Sequence, residues 1–150
     1  MMRTGRRVSI RVLWCAVVSI GVAIAGCGDD SGEDAGPMCA EIDLQCTNGI
    51  KPSWEDIYNF VIKPSCAAAP CHGEGMEGGL KMSTSMEAYQ GLVDGVGGKP
   101  RVIKGDAACS MLTERIESDD PAKRMPFMGM KLSAGDRCAI EKWIAAGAPQ

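Results

Sequence analysis

The stretch Cys66-Ala67-Ala68-Ala69-Pro70-Cys71-His72-Gly73 decides the reading of this 150-residue chain. It holds two cysteines with four residues between them and, directly after the second, the only histidine in the protein. A plain disulfide beside an incidental histidine satisfies the same pattern in an oxidising compartment, so the flanking sequence has to separate the two readings.

Upstream, Ser53-Trp54-Glu55-Asp56 reads as an N-cap followed by acids in a first helical turn. Trp54, Ile57, Tyr58, Val61 and Ile62 then recur at i, i+3, i+4, i+7 and i+8, which predicts an amphipathic helix. Pro64 is expected to end it and to deliver the chain into Cys66. Downstream, a Gly-rich loop runs from Gly73 to Gly79, followed by Leu80 to Met82 and a short helix around Met86 to Val93. Gly95, Gly97, Gly98 and Pro100 mark a turn, and a further helix opens near Asp106 with Cys109, Leu112 and Ile116 on one face. Asp119-Asp120-Pro121 breaks that helix.

The last helix has the clearest signals: Ser133 caps, Asp136 sits three residues later, Cys138, Ile140, Trp143 and Ile144 form the apolar side, and Gly147 stops it. Strand signals are nearly absent. The pattern predicts an all-α domain of roughly 100 residues, with three to four short helices, long loops and no internal repeat.

In c-type haem attachment two thiols add across the porphyrin vinyl groups and the adjacent imidazole reaches the iron, so a Cys-His pair closing the motif is a geometric requirement. The four-residue spacing departs from the usual two; three alanines and a proline can loop outward without a bulky clash. Because His72 is the lone histidine, a second axial ligand must differ, and Arg124-Met125-Pro126-Phe127-Met128-Gly129-Met130 supplies three thioethers about 50 residues downstream. A thioether favours ferrous iron and raises the potential, and it fills the sixth site. The domain is poor in large side chains. A haem burying several hundred Å² at roughly 25 cal/mol per Å² would add on the order of 10 kcal/mol, comparable with a small domain's whole stability.

Ahead of the domain, Arg3, Arg6, Arg7 and Arg11 precede an almost uncharged run from Val12 to Ala25, the layout of a secretory signal and too short to span a bilayer comfortably. The segment ends Ile24-Ala25-Gly26-Cys27, which resembles the bacterial lipobox and implies lipidation of Cys27 and anchorage to a bacterial membrane, facing periplasm or cell surface. A soluble export signal with an incidental cysteine is the alternative. Gly28 to Gly36 is acidic, small and without apolar period, as a tether should be. The expected organisation is therefore a signal peptide over 1–26, a tether and Cys-containing lead-in over 27–52, and the domain over 53–150.

Loss of residues 1–26 would leave 12 basic against 19 acidic residues, a net charge of −7. Such a domain lacks the basic stripe that nucleic acid requires, and anionic headgroups repel it. Of eight cysteines, Cys15 would leave with the signal and Cys27 would carry lipid. Cys39 and Cys46 are close enough to close a small loop, and Cys109 and Cys138, on the apolar sides of two helices, suggest a helix-to-helix bridge; spacing does not settle the pairing.

The order of motifs resembles the small class I cytochromes c, and more closely the cytochrome c-like domains of large Gram-negative surface and periplasmic proteins. The resemblance covers residues 54–149: helix, Ile62-Lys63-Pro64, Cys-His-Gly, Gly78-Gly79-Leu80, Gly105-Asp106, Met125-Pro126, Lys131-Leu132-Ser133 and Trp143-Ile144-Ala145-Ala146-Gly147-Ala148. It implies covalent haem c on Cys66 and Cys71, iron ligated by His72 and Met125, and single-electron exchange with redox partner proteins. Phe127 stands where the family often has a second proline, which keeps Met128 as an alternative ligand. The resemblance also implies first and last helices packed across each other, with Phe60 or Val61 near Trp143.

Other readings stand beside these. A zinc site from Cys46, Cys66, Cys71 and His72 lacks paired Cys-x-x-Cys knuckles. Met76, Met82, Met86 and Met111 read as core packing, and Trp143 as core with haem contact in addition. No Ser-His-Asp or Cys-His catalytic arrangement and no phosphate-binding loop is present, so the chain is not expected to be an enzyme. The competing function is a haem-less cytochrome fold stapled by three disulfides and serving as an interaction module.

Overall fold

The computed structural model describes residues 39–150; Cys27 and the segments read as signal and tether lie outside the described residues. Four helices build the domain, and among the described residues no strand forms, only two isolated bridges, Val96 with Lys99 and Ile103 with Asp106. It is a small all-α domain.

Helix α1 occupies residues 54–65 in three consecutive pieces: an α-helical Trp54–Ile57, a π-helical Tyr58–Ile62 and an α-helical Lys63–Ser65. Ser53 caps it, its Oγ accepting from the Asp56 N–H at 3.4 Å. The five residues of the expected apolar stripe, Trp54, Ile57, Tyr58, Val61 and Ile62, are all buried. Contrary to the expectation, Pro64 does not end the helix, which runs on to Ser65. Proline cannot donate and its ring crowds the carbonyl four residues back, and the turn before it has widened: the Lys63 N–H donates to the Tyr58 carbonyl, five residues back.

Helix α2 covers residues 85–95, α-helical over Ser85–Tyr89 and π-helical over Gln90–Gly95. Thr84 and Glu87 form a reciprocal capping box at its start. Helix α3, Met111–Glu117, opens later than the expected Asp106. Side chains there satisfy the backbone in a turn: Asp106 Oδ1 accepts from the Cys109 N–H at 3.1 Å. Buried Ser110 Oγ donates to the Asp106 carbonyl at 2.7 Å and accepts from the Ile103 N–H at 2.8 Å. Such local bonds compete with a helical ladder and postpone it. Helix α4, Ala134–Ala145, begins with Ser133 Oγ accepting from the Asp136 N–H at 3.1 Å and buries Cys138, Ile140, Trp143 and Ile144.

Helices α1 and α4 pack together through aromatic rings. Trp54 lies 5.2 Å from Trp143 between centroids, and Tyr89 of α2 meets Trp54 edge-on at 5.3 Å. The polar tips are paired: Trp54 Nε1 donates to Ser85 Oγ, Trp143 Nε1 to the Pro149 carbonyl and Tyr89 Oη to the Ala148 carbonyl. Val61 belongs to this core, whereas Phe60 is 64% exposed on the outer side of α1. Only Met82 of the four methionines read as core is buried; Met76, Met86 and Met111 are exposed, since each falls outside the buried face of its turn or helix.

The cysteine pairing crosses the two expected pairs: Cys39 bonds Cys109 and Cys46 bonds Cys138, with neither a Cys39–Cys46 loop nor a Cys109–Cys138 bridge. Cys109 precedes α3 rather than riding on it, and the lead-in 39–52 runs over both places. Lys142 Nζ donates to the Cys46 carbonyl and to Asn48 Oδ1, and a Cβ on Gly135 would meet the Gly49 backbone nitrogen at 2.6 Å. The bridges join residues 70 and 92 apart in sequence, long closures that restrict the unfolded chain strongly. Peptide mapping of the non-reduced protein is expected to recover Cys39–Cys109 and Cys46–Cys138, and the double change Cys46→Ser/Cys138→Ser should cost about 2–5 kcal/mol in denaturant unfolding.

Candidate functional site

The end of α1 delivers Cys66, whose N–H still donates to the Ile62 carbonyl at 2.8 Å. The next residues bulge outward: Ala68, Ala69 and Pro70 are exposed, and the Cys71 and Gly73 N–H groups both donate to the Ala68 carbonyl, at 2.9 and 3.0 Å. The chain then returns, the His72 N–H reaching the Cys66 carbonyl at 3.2 Å. Thus the insert is absorbed in a loop and His72 lies beside Cys66. Gly73 makes the return possible, because a Cβ there would stand 2.6 Å from the Ala67 carbonyl oxygen and 2.8 Å from that of Ala68.

His72 Nδ1 lies 2.9 Å from the Glu77 carbonyl oxygen. A carbonyl only accepts, so Nδ1 donates, and in the neutral ring Nε2 then keeps its lone pair for a ligand. Glu77 is held in turn by its N–H to the Cys71 carbonyl at 3.1 Å. Cys66 and Cys71 are the free cysteines of the described residues. Burial, with the neighbouring Cys71 adding to it, pushes the Cys66 thiol up to about 11. Cys66 is therefore a neutral thiol at neutral pH.

These three residues line one wall of a cavity of about 580 Å³. Leu80, Met82 and Leu92 continue the wall, Met111, Leu112 and Ile116 of α3 form another, and Met125, Pro126, Phe127 and Leu132 complete it. The volume falls within the roughly 300–1,000 Å³ of cofactor pockets. Met125 is fixed by its N–H to the Arg115 carbonyl at 2.8 Å. Met128 and Met130, by contrast, are 88% and 91% exposed and take no part in the lining. Trp143 is likewise absent from the lining, its ring spent on the α1–α4 core.

Two arginines of the site escaped the sequence reading. Arg101 and Arg115 line the mostly apolar cavity, whose other polar lining residues include Ser65, His72 and Glu77, and neither arginine makes an ion pair among the described residues. Their guanidinium groups are oriented by carbonyls: Arg101 donates to Gly91 at 3.3 Å and Gly78 at 2.8 Å, Arg115 to Lys123 at 3.3 Å. Isolated arginines carry no sequence signal; only the fold puts them on one cavity. The zinc alternative is removed, since Cys46 is bonded to Cys138 and no group of three or more metal-binding side chains occurs among the described residues.

Residues 69–126 match the family described as Planctomycete cytochrome C, a span that begins after Cys66 and includes Cys71, His72, Met125 and Pro126. The match supports a cytochrome c-like domain. No curated protein and no solved structure matches the chain. A Gly73→Ala substitution should destabilise the domain by about 1–3 kcal/mol in thermal or denaturant unfolding, because the crowding atoms are backbone carbonyls that cannot swing aside.

Proposed function

We propose that this chain is a monohaem c-type cytochrome, lipid-anchored through Cys27, that passes single electrons between protein partners in the periplasm or at the cell surface and is not itself a catalyst. The observation that carries the reading is the cavity, which gathers Cys66, Cys71, His72 and Met125 on its walls while every other described cysteine is in a disulfide.

The residues present fit a haem. Two unpaired thiols at the wall suit covalent attachment, the free Nε2 of His72 suits iron, and the apolar walls suit a porphyrin face. Arg101 and Arg115 are the cations a group with two carboxylates would neutralise, and such pairs are strong where water is excluded. Bound haem supplies a one-electron couple at its iron. The protein's contribution is to fix the imidazole through Glu77, to present Met125 through Arg115, and to keep the surroundings apolar, which together set the potential. The haem-less reading calls for three bridges; the described residues hold two, and Cys66 and Cys71 remain thiols.

The test is a pyridine haemochrome spectrum on the protein expressed with c-type maturation machinery, recorded after acid–acetone extraction. Haem that stays with the protein is the expected result, and none, with a known cytochrome maturing in the same cells, would overturn the reading. His72→Ala should abolish stable incorporation. Met125→Leu should lower the midpoint potential in redox titration and free the sixth site, while Met128→Leu should leave the potential unchanged.

A further inference from the structure

The Glu77 carbonyl, which orients the His72 ring, belongs to a loop with little packing of its own. Residues 74–79 are all exposed. Met76, Gly78 and Gly79 lie in the left-handed region, at φ 51, 63 and 70°, and a Cβ on Gly78 would meet nothing within 4 Å. Glycine loses more conformational freedom on ordering than any other residue, so a turn of this kind keeps one geometry only when something grips it. Its backbone bonds are local: the Glu77 N–H to the Cys71 carbonyl at 3.1 Å, the Gly79 N–H to the Met76 carbonyl at 2.8 Å and the Leu80 N–H to the Glu77 carbonyl at 3.2 Å.

Among the described residues, Arg101 alone reaches residues 76–80 with a hydrogen bond from outside the segment 66–82. Its Nη2 donates to the Gly78 carbonyl at 2.8 Å, a charge-assisted bond one peptide unit beyond the Glu77 carbonyl. The arginine itself stands on firm ground. Nη1 donates to the Gly91 carbonyl of α2 at 3.3 Å, the Arg101 N–H donates to the Leu92 carbonyl at 2.8 Å, and the Arg101 carbonyl accepts from the Leu112 N–H of α3 at 2.9 Å. Val102, the next residue, is buried in the core. Two helices thus lock the backbone of Arg101, and its side chain carries that rigidity to the loop.

We propose that Arg101 is a positioning residue for His72: its hold on the Gly78 carbonyl keeps the adjoining Glu77 carbonyl in line with the imidazole Nδ1–H. The consequence for iron rests on the haem reading given above; the orientation of the ring does not. Two of the guanidinium's donors serve this purpose, and the others remain for a carboxylate partner. Without the hold, the loop samples other geometries, and the 2.9 Å bond between His72 Nδ1 and the Glu77 carbonyl lengthens. The ring then loses both its fixed direction and the electron density that the carbonyl lends to Nε2. Lysine can replace only part of this, because a single ammonium lacks the planar fork that spans two carbonyls.

The experiment is proton NMR of the full chain with any prosthetic group it carries, reduced where that group is haem so that low-spin iron is diamagnetic. His72 is the only histidine, so its Nδ1–H resonance is assigned without ambiguity. Its solvent exchange is compared with that of Trp143 Nε1–H, which donates to the Pro149 carbonyl and takes no part in the loop. Arg101→Gln should speed exchange of the His72 Nδ1–H roughly tenfold and move its resonance upfield, with Trp143 Nε1–H unchanged within about twofold. Arg101→Lys should fall between Arg101→Gln and the natural protein. Lys99→Gln, which removes a charge two residues earlier and touches no loop carbonyl, should leave His72 unchanged within about twofold. His72 exchange in Arg101→Gln within about twofold of the natural protein, or Trp143 Nε1–H accelerating as much as His72, overturns the proposal. If Arg101→Gln fails to fold or mature, Arg101→Lys decides alone, and unchanged His72 exchange there overturns it. If the natural chain matures without haem, the haem reading fails, while the same comparison on that chain still decides Arg101.

Discussion

Trp54 against Trp143 is the contact from which the site is laid out. The two indoles fix how α1 crosses α4, and Tyr89 adds α2 to the same cluster. Because α1 is anchored at its first turn, its far end is a fixed place in space, and that end bears Cys66. The π-helical turn across Tyr58–Ile62 is part of this layout, since it keeps the chain helical past Pro64. Rigid elements hold reactive groups more closely than loops do, and here one thiol stands at the end of a helix while the other thiol and the imidazole return to it through a backbone hydrogen bond.

Such a small domain cannot hold a large cavity without help. The wall beside Met125 has no helix of its own, and a chain of this size supports only one modest core. The two disulfides provide compensation by tying the lead-in to the approach of α3 and to α4, the elements on either side of the Met125 loop. Arg137 of α4 and Lys131 also pair with Glu117 at the end of α3, across the same loop. The cavity is thus bounded by a covalently braced frame, and its walls are mostly apolar, with Arg101 and Arg115 as their cations.

The four-residue spacing of the cysteines reads differently once the backbone is in view. In a list of residues it is a departure from a motif; in space it is a bulge of Ala68, Ala69 and Pro70 whose exposed position leaves the relation of Cys66 to His72 intact. Small side chains and a proline suit a loop with nothing to pack against, and Gly73 admits the two carbonyls that close it.

Whatever depended on neighbours along the chain was legible in the sequence. The buried stripe of α1, the Ser133 cap, the apolar side of α4 and the histidine after Cys71 are local patterns, and helical periodicity and capping chemistry act within a few residues. Asp106 was misleading because its side chain and Ser110 made a competing local turn whose strength no periodicity reveals. The disulfide partners, the exposure of Phe60 and of three methionines, and the gathering of Arg101 and Arg115 on one cavity were decided by tertiary structure alone. Each depends on distances between residues far apart in sequence, and those distances exist only after the helices have packed.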